Sequence, residues 1–440
     1  MTTESNQPLS TEELSQLNEI IEDCAKTINK DNKFKMPSGI NDHFLPSIDE
    51  IFGFFNMKSD VRTLYQTMIN NNVSIPQISH GSLHQLNNGG VGKGVFYKFM
   101  GVMKASSNYI LRHVLSRQGS WVERAHNLNT NAAYWLGITL GYQQMKSDPN
   151  LNQQELLNYQ CLADFISSRC YQDIIYKEQC KKRILAGDID TTNKLLVWET
   201  VVSPLYRQHT QLSEPVFTML RHAFEGRDLG SYSVQQKSEF LQRSFEAKYD
   251  FLLNCIACYE VGYVARMLEI TNDTDTLEVR KGFISLTLDQ YVDTENDKTC
   301  FHSLFLVVKS NLSNDDHKVT NRELASYIKM NHTAYGEESL NDAQYNVLKK
   351  WFKQKDLPSN ERLQQFFDDL AKAYGFNNDD HMLWVARIAL GFDALLKQRT
   401  DAIINELGDE IDVTAIWKQA LSRYRECYKY HFHQHFSGKS

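Results

Sequence analysis

Several absences narrow the class of this chain before any motif is considered. Only 8 prolines and 21 glycines occur in 440 residues, which excludes collagen-like and low-complexity architectures. Eight cysteines are too few for a disulfide-stapled scaffold, so reduced thiols are expected. The opening Met-Thr-Thr-Glu-Ser-Asn-Gln has no basic segment and no apolar run behind it, so no signal peptide is expected. No stretch of about 18 uncharged apolar residues occurs. The most apolar segment, 251–268, contains Glu260 and Arg266. A cytoplasmic protein without membrane contact is therefore the expectation. Neither sign of charge dominates. Lys+Arg total 47 against Asp+Glu 54, and the net charge of −7 gives no global reason to expect a polyanion partner.

One absence is local. Residues 61–122 contain no Asp or Glu, although the mean frequency of 54 in 440 would place about seven or eight there. The window holds Lys93, Lys98, Lys104, Arg112 and Arg117, interleaved with Tyr97, Tyr109 and Trp121. An Asn/Gly-rich loop leading into a basic helix suits phosphate-backbone contact. The competing explanation is a buried core helix, which also shuns acids.

What the chain does have is helical periodicity. Residues 10–13, 47–50 and 320–323 each begin with Ser or Thr and end with Glu, the spacing of a capping box, and apolar residues follow at helical intervals. Long helical patterns cover 152–185, 214–226 and 234–270. Two runs, 195–202 and 301–309, could be strand or buried helix. The expectation is an all-α, multi-helical fold in two domains. Residues 1–270 form the N-terminal helical domain and 271–317 a connecting segment. A helix-turn-helix-like unit at 318–376 and C-terminal helices at 377–440 complete the second domain.

The segment 318–376 carries the clearest functional signal. Thr320 and Glu323 cap a first helix. A second starts near Leu340 or Asn341 and buries Ala343, Val347, Leu348 and Trp351. That leaves Gln344, Asn346, Lys349, Lys350 and Lys353 largely outward, with Lys355 in the turn beyond. Pro358-Ser359 stops the chain and restarts it as a third helix. Between residues 345 and 356 four lysines stand against one acid, Asp356, a net of +3. This pattern, Leu348-Lys-Lys-Trp351 followed by Lys353, Lys355, Pro358-Ser359 and Leu370-Ala371, resembles the Cro/repressor-type helix-turn-helix over roughly 60 residues. It departs from that family in one respect. The link from Asn331 to Ser339 is longer than the family's turn of about 3–4 residues. The resemblance implies a recognition helix that reads base edges with Gln344 and Asn346 and meets phosphates with its lysines. The alternative is a solvated lysine face on a helical subdomain.

Other motifs are fragmentary. Residues 88–94 approach a phosphate-binding loop but have Asn87 and Gly94 where a Walker sequence needs Gly and Ser or Thr. Cys255 and Cys258 have the spacing of half a zinc site, but no second pair completes it. His431 and His435 share a helical face in what reads as an exposed tail. No nucleophile elbow, His-Glu-x-x-His or glycine-rich dinucleotide turn is present. No catalytic residue, metal site or cofactor is therefore expected. The sequence reads as a nucleic-acid-binding helical protein. DNA, or else RNA, is its partner, beside other proteins, and the role is a regulator or a recognition subunit of a DNA-transaction or defence complex. A helical scaffold with protein partners only is the rival, and an enzyme with a dispersed site is the third possibility.

Overall fold

The computed structural model describes residues 44–55, 76–79, 82, 98, 121–147 without 123, 126 and 129, 156–227, 229–271, 279–294, 298–330, 337–376 and 380–437. The fold is all-α and multi-helical, and no strand occurs among the described residues. In chain order the first part contains α1 (Ile48–Phe54), α2 (Ala132–Lys146), α3 (Gln160–Leu185), α4 (Lys194–Val197), α5 (Ser203–His209), α6 (Glu214–Glu225), α7 (Val234–Lys248) and α8 (Asp250–Thr271). The second contains α9 (Phe283–Val292), α10 (Cys300–Leu312), α11 (Asn321–Ser326), α12 (Glu337–Phe352), α13 (Asn360–Tyr374), α14 (His381–Leu407), α15 (Val413–Leu421) and α16 (Tyr424–Ser437).

Both ambiguous apolar runs are helix. Residues 301–309 lie inside α10, and 195–202 span α4 and a π turn, Trp198–Val202, that leads into α5. Pro204 explains the widening. It has no N–H for the carbonyl of Thr200, which instead accepts from the Tyr176 hydroxyl at 3.4 Å. The single pattern over 234–270 is two helices. No Gly or Pro marks the break at Tyr249. It occurs where Asp250 accepts from Arg169 at 3.0 Å and from Arg423 at 3.1 Å. Other boundaries follow local chemistry. Gly226 ends α6 at φ 68°, in the left-handed conformation that costs glycine least. The Thr320–Glu323 capping box forms in full at the start of α11.

Two large apolar clusters among the described residues hold most of these helices. The smaller joins Leu136, Ile174, Trp198 and Phe217 from α2 to α6. The larger runs from Leu252 and Ile256 through Phe301, Phe305, Trp351, Phe366, Phe392 and Trp417. Phe251 at the start of α8 belongs to the smaller cluster and Leu252 to the larger, so this helix serves both. By length and composition α8 could cross a membrane, but most of its side chains are buried inside the protein. Its buried acid is satisfied by hydrogen bonds from within the protein. Glu260, fully buried, accepts from the amide and hydroxyl of Ser285 and from the Tyr424 hydroxyl at 2.7 Å. The segment expected to connect domains, 271–317, contains α9 and α10, whose Ile284, Phe301 and Phe305 lie in the larger cluster.

Candidate functional site

The three helices of the 318–376 segment are present, and α12 begins at Glu337, earlier than its sequence pattern indicated. Leu348 and Trp351 are buried as expected. Trp351 sits beside Phe366 of α13, ring centroids 6.2 Å apart, in a cluster that also holds Phe305 of α10. The end of α12 rests on α10. His302 stacks on Phe352 at 4.1 Å, and the Thr299 hydroxyl donates to the Phe352 carbonyl at 3.4 Å.

Gln344 corrects the expectation of an outward base-reading residue. It is buried, and its amide nitrogen donates to the carbonyls of Ser326 at 3.0 Å and Ile328 at 2.7 Å. The reason is local. The last carbonyls of the short helix α11 need donors, and Gln344 lies on the face of α12 that meets them. Glu323 ties the same unit together, accepting from the Tyr374 hydroxyl at 2.7 Å besides completing the cap of α11.

The remaining residues of the predicted face are exposed: Asn346, Lys349, Lys350, Lys353 and Lys355. A Schellman turn ends the helix, with Gln354 at φ 53°. Its amide bonds back to Trp351, and the Lys355 amide bonds to the Lys350 carbonyl at 3.0 Å. The turn thus brings Lys355 back beside the last turn of α12. Lys349 lies over the Tyr345 ring at 4.1 Å. Among the described residues none of these four lysines meets a carboxylate at ion-pair distance. Neighbouring cations do: Arg322 with Asp342 at 2.8 Å and Lys329 with Asp369 at 3.3 Å.

Of the acid-free window only scattered residues are described. Lys98 is helical and exposed. Lys93, Lys104, Arg112 and Arg117 lie outside the described residues, as does the loop at 88–94.

A second convergence of chemistry was not foreseen as one. Cys161 of α3, Cys258 of α8 and His431 of α16 place their donor atoms within 4.8 Å of one another. His431 was expected in an exposed tail, yet it is buried. Burial and the nearby Arg169 charge lower it to about 4, which keeps the ring neutral near pH 7. Burial likewise raises the Cys258 thiol well above its ordinary value, reinforced by its contact with Cys161. Cys255, the other half of the CxxC, packs beside the smaller cluster instead. The only sequence signals were the CxxC and the terminal histidines. Their meeting with Cys161 is set by helix packing alone.

Compared with known proteins, the chain matches no family model, no curated protein and no solved structure.

Proposed function

We propose that the chain binds nucleic acid through the exposed end of α12, with Lys349, Lys350, Lys353 and Lys355 on phosphates and Asn346 beside them. The single observation that carries this reading is the set of four lysines without a carboxylate partner among the described residues, in a chain whose net charge is −7. Lysines in a helix's last turn complement its dipole, which accounts for Lys349 and Lys350. The dipole makes no demand on Lys353 and Lys355, which follow the helix end. Unpaired ammonium groups bring no loss of an internal ion pair when a phosphate arrives, and each contact releases a counterion from the polyanion.

DNA is the first choice, because the segment resembles DNA-binding repressors. With Gln344 committed to α11, base reading would fall to Asn346 alone on the described face, so phosphate contact dominates and sequence preference is weak. A regulator, or a recognition subunit within a larger DNA-handling assembly, fits such a surface. The test is titration of the purified chain against nonspecific duplex at low salt, beside the Lys349→Glu/Lys350→Glu double variant. The reading expects binding by the parent, loss in the variant and unchanged thermal stability. A parent that leaves duplex unbound at low salt would overturn it and favour the scaffold reading.

A further inference from the structure

The strongest unassigned chemistry lies at a cavity of about 700 Å³ bordered by α3, α5 and α16. Cys161 and His431 line it, and Cys258 stands behind them, the three donor atoms within 4.8 Å of one another. Two features show that the arrangement is built. First, Gly262 lies one turn beyond Cys258 on α8. A Cβ there would collide with the carbonyl of Asn158, so only glycine lets the chain entering α3 approach this closely and set Cys161 against Cys258. Second, His431 Nε2 bonds to the Asn254 side-chain oxygen at 2.7 Å, and the Asn254 amide nitrogen donates to the Asp250 carbonyl at 2.7 Å. The second bond fixes the amide so that its oxygen faces the imidazole. His431 therefore carries its proton on Nε2, which leaves the Nδ1 lone pair free to ligate. A partner of this kind orients metal-binding histidines in general.

We propose that Cys161, Cys258 and His431 bind a zinc ion whose fourth ligand comes from the cavity. Paired thiolates with an imidazole select thiophilic d10 cations over calcium or magnesium. On binding, each thiol gives up its proton to solvent and forms a sulfur–zinc bond. Two thiolates and a neutral imidazole balance the dication, so the filled site buries no net charge. Tetrahedral zinc with Zn–S bonds of about 2.3 Å sets its two sulfurs about 3.8 Å apart. The donor atoms, now within 4.8 Å of one another, must draw closer to reach that geometry. Three protein ligands with one position open to a cavity is the pattern of zinc sites that exchange water or a small ligand, whereas structural sites are closed by four.

The test is a Co²⁺ titration of the full chain in a non-chelating reductant. One equivalent should produce thiolate-to-cobalt charge-transfer absorption that one equivalent of Zn²⁺ abolishes. Cys161→Ser should remove that absorption, and because Cys161 is only partly buried whereas Cys258 is fully buried, it is the variant expected to keep the fold. Asn254→Ala should retain one equivalent of zinc but bind it about 10–100-fold more weakly. A parent chain that shows no charge-transfer band at one equivalent overturns the proposal. So does a band that survives in Cys161→Ser, or a pair of thiols that oxidises to a disulfide while taking up no metal.

Discussion

The end of α12 and the start of α8 handle charge in opposite ways. At the end of α12 four lysines face solvent with no carboxylate partner among the described residues. At the start of α8 the charged groups are buried and paired with one another. Asp250 holds both Arg169 and Arg423, and a short step away Lys177 pairs with Asp173 at 2.8 Å with both side chains fully buried. The contrast shows where selection for folding acts. A buried ion must be answered inside the protein, since leaving one partner alone costs several kcal/mol. An exposed lysine adds little to stability. An accumulation of unanswered lysines therefore adds little to folding and leaves this face free for the nucleic acid proposed above.

The largest expected effect breaks the buried side. Asp250→Asn leaves two buried guanidinium groups facing a neutral amide and should cost about 3–5 kcal/mol in urea unfolding. A cost below 1 kcal/mol would mean that these arginines reach water and that the contrast is overstated.

Gln344→Ala comes next and marks the border between the regions. If Gln344 holds α11 to α12, the substitution strands two carbonyls and should lower stability by about 1–3 kcal/mol while leaving duplex affinity nearly unchanged. Loss of affinity with full stability would restore it to the contact face.

Acid separates the regions further. Burial lowers His381 to about 3, with the Arg266 charge adding to it, and lowers His431 to about 4. These groups stay neutral in the fold, so their contribution is complete above the ordinary histidine value of about 6.5 and is lost as the pH falls towards 4 and below. The melting temperature should drop over that window, and His381→Gln should flatten the drop. Unaltered steepness in the variant would show that His381 is protonated without penalty.

Much of this was legible in the sequence, because it depends on neighbours along the chain. Helical periodicity located α6, α12 and α13, Ser359 marked the start of α13, and Thr320 marked that of α11. The unread parts depend on packing. The break at Tyr249 has no local signal, and α9 and α10 looked like a connection because polar turns flank them. Gln344 was placed outward because helical spacing alone cannot reveal that α11 ends against it. Cys161, Cys258 and His431 are separated by about one hundred and then about 170 residues, so no spacing rule could join them. The candidate contact face was readable as exposed lysines, but whether acids elsewhere in the chain neutralised them was not.

The smallest effect on stability belongs to the lysines themselves. Lys349→Glu/Lys350→Glu should shift unfolding by less than about 0.5 kcal/mol. The same pair gives the most direct measurement of the central claim, the slope of duplex affinity against salt concentration on logarithmic axes. The parent should show a linear fall of about 0.9 per phosphate neutralised, and a single Lys350→Ala change should reduce the slope by about one such unit. A parent affinity indifferent to salt, or a slope that the substitutions leave untouched, would contradict the assignment of this face to nucleic acid.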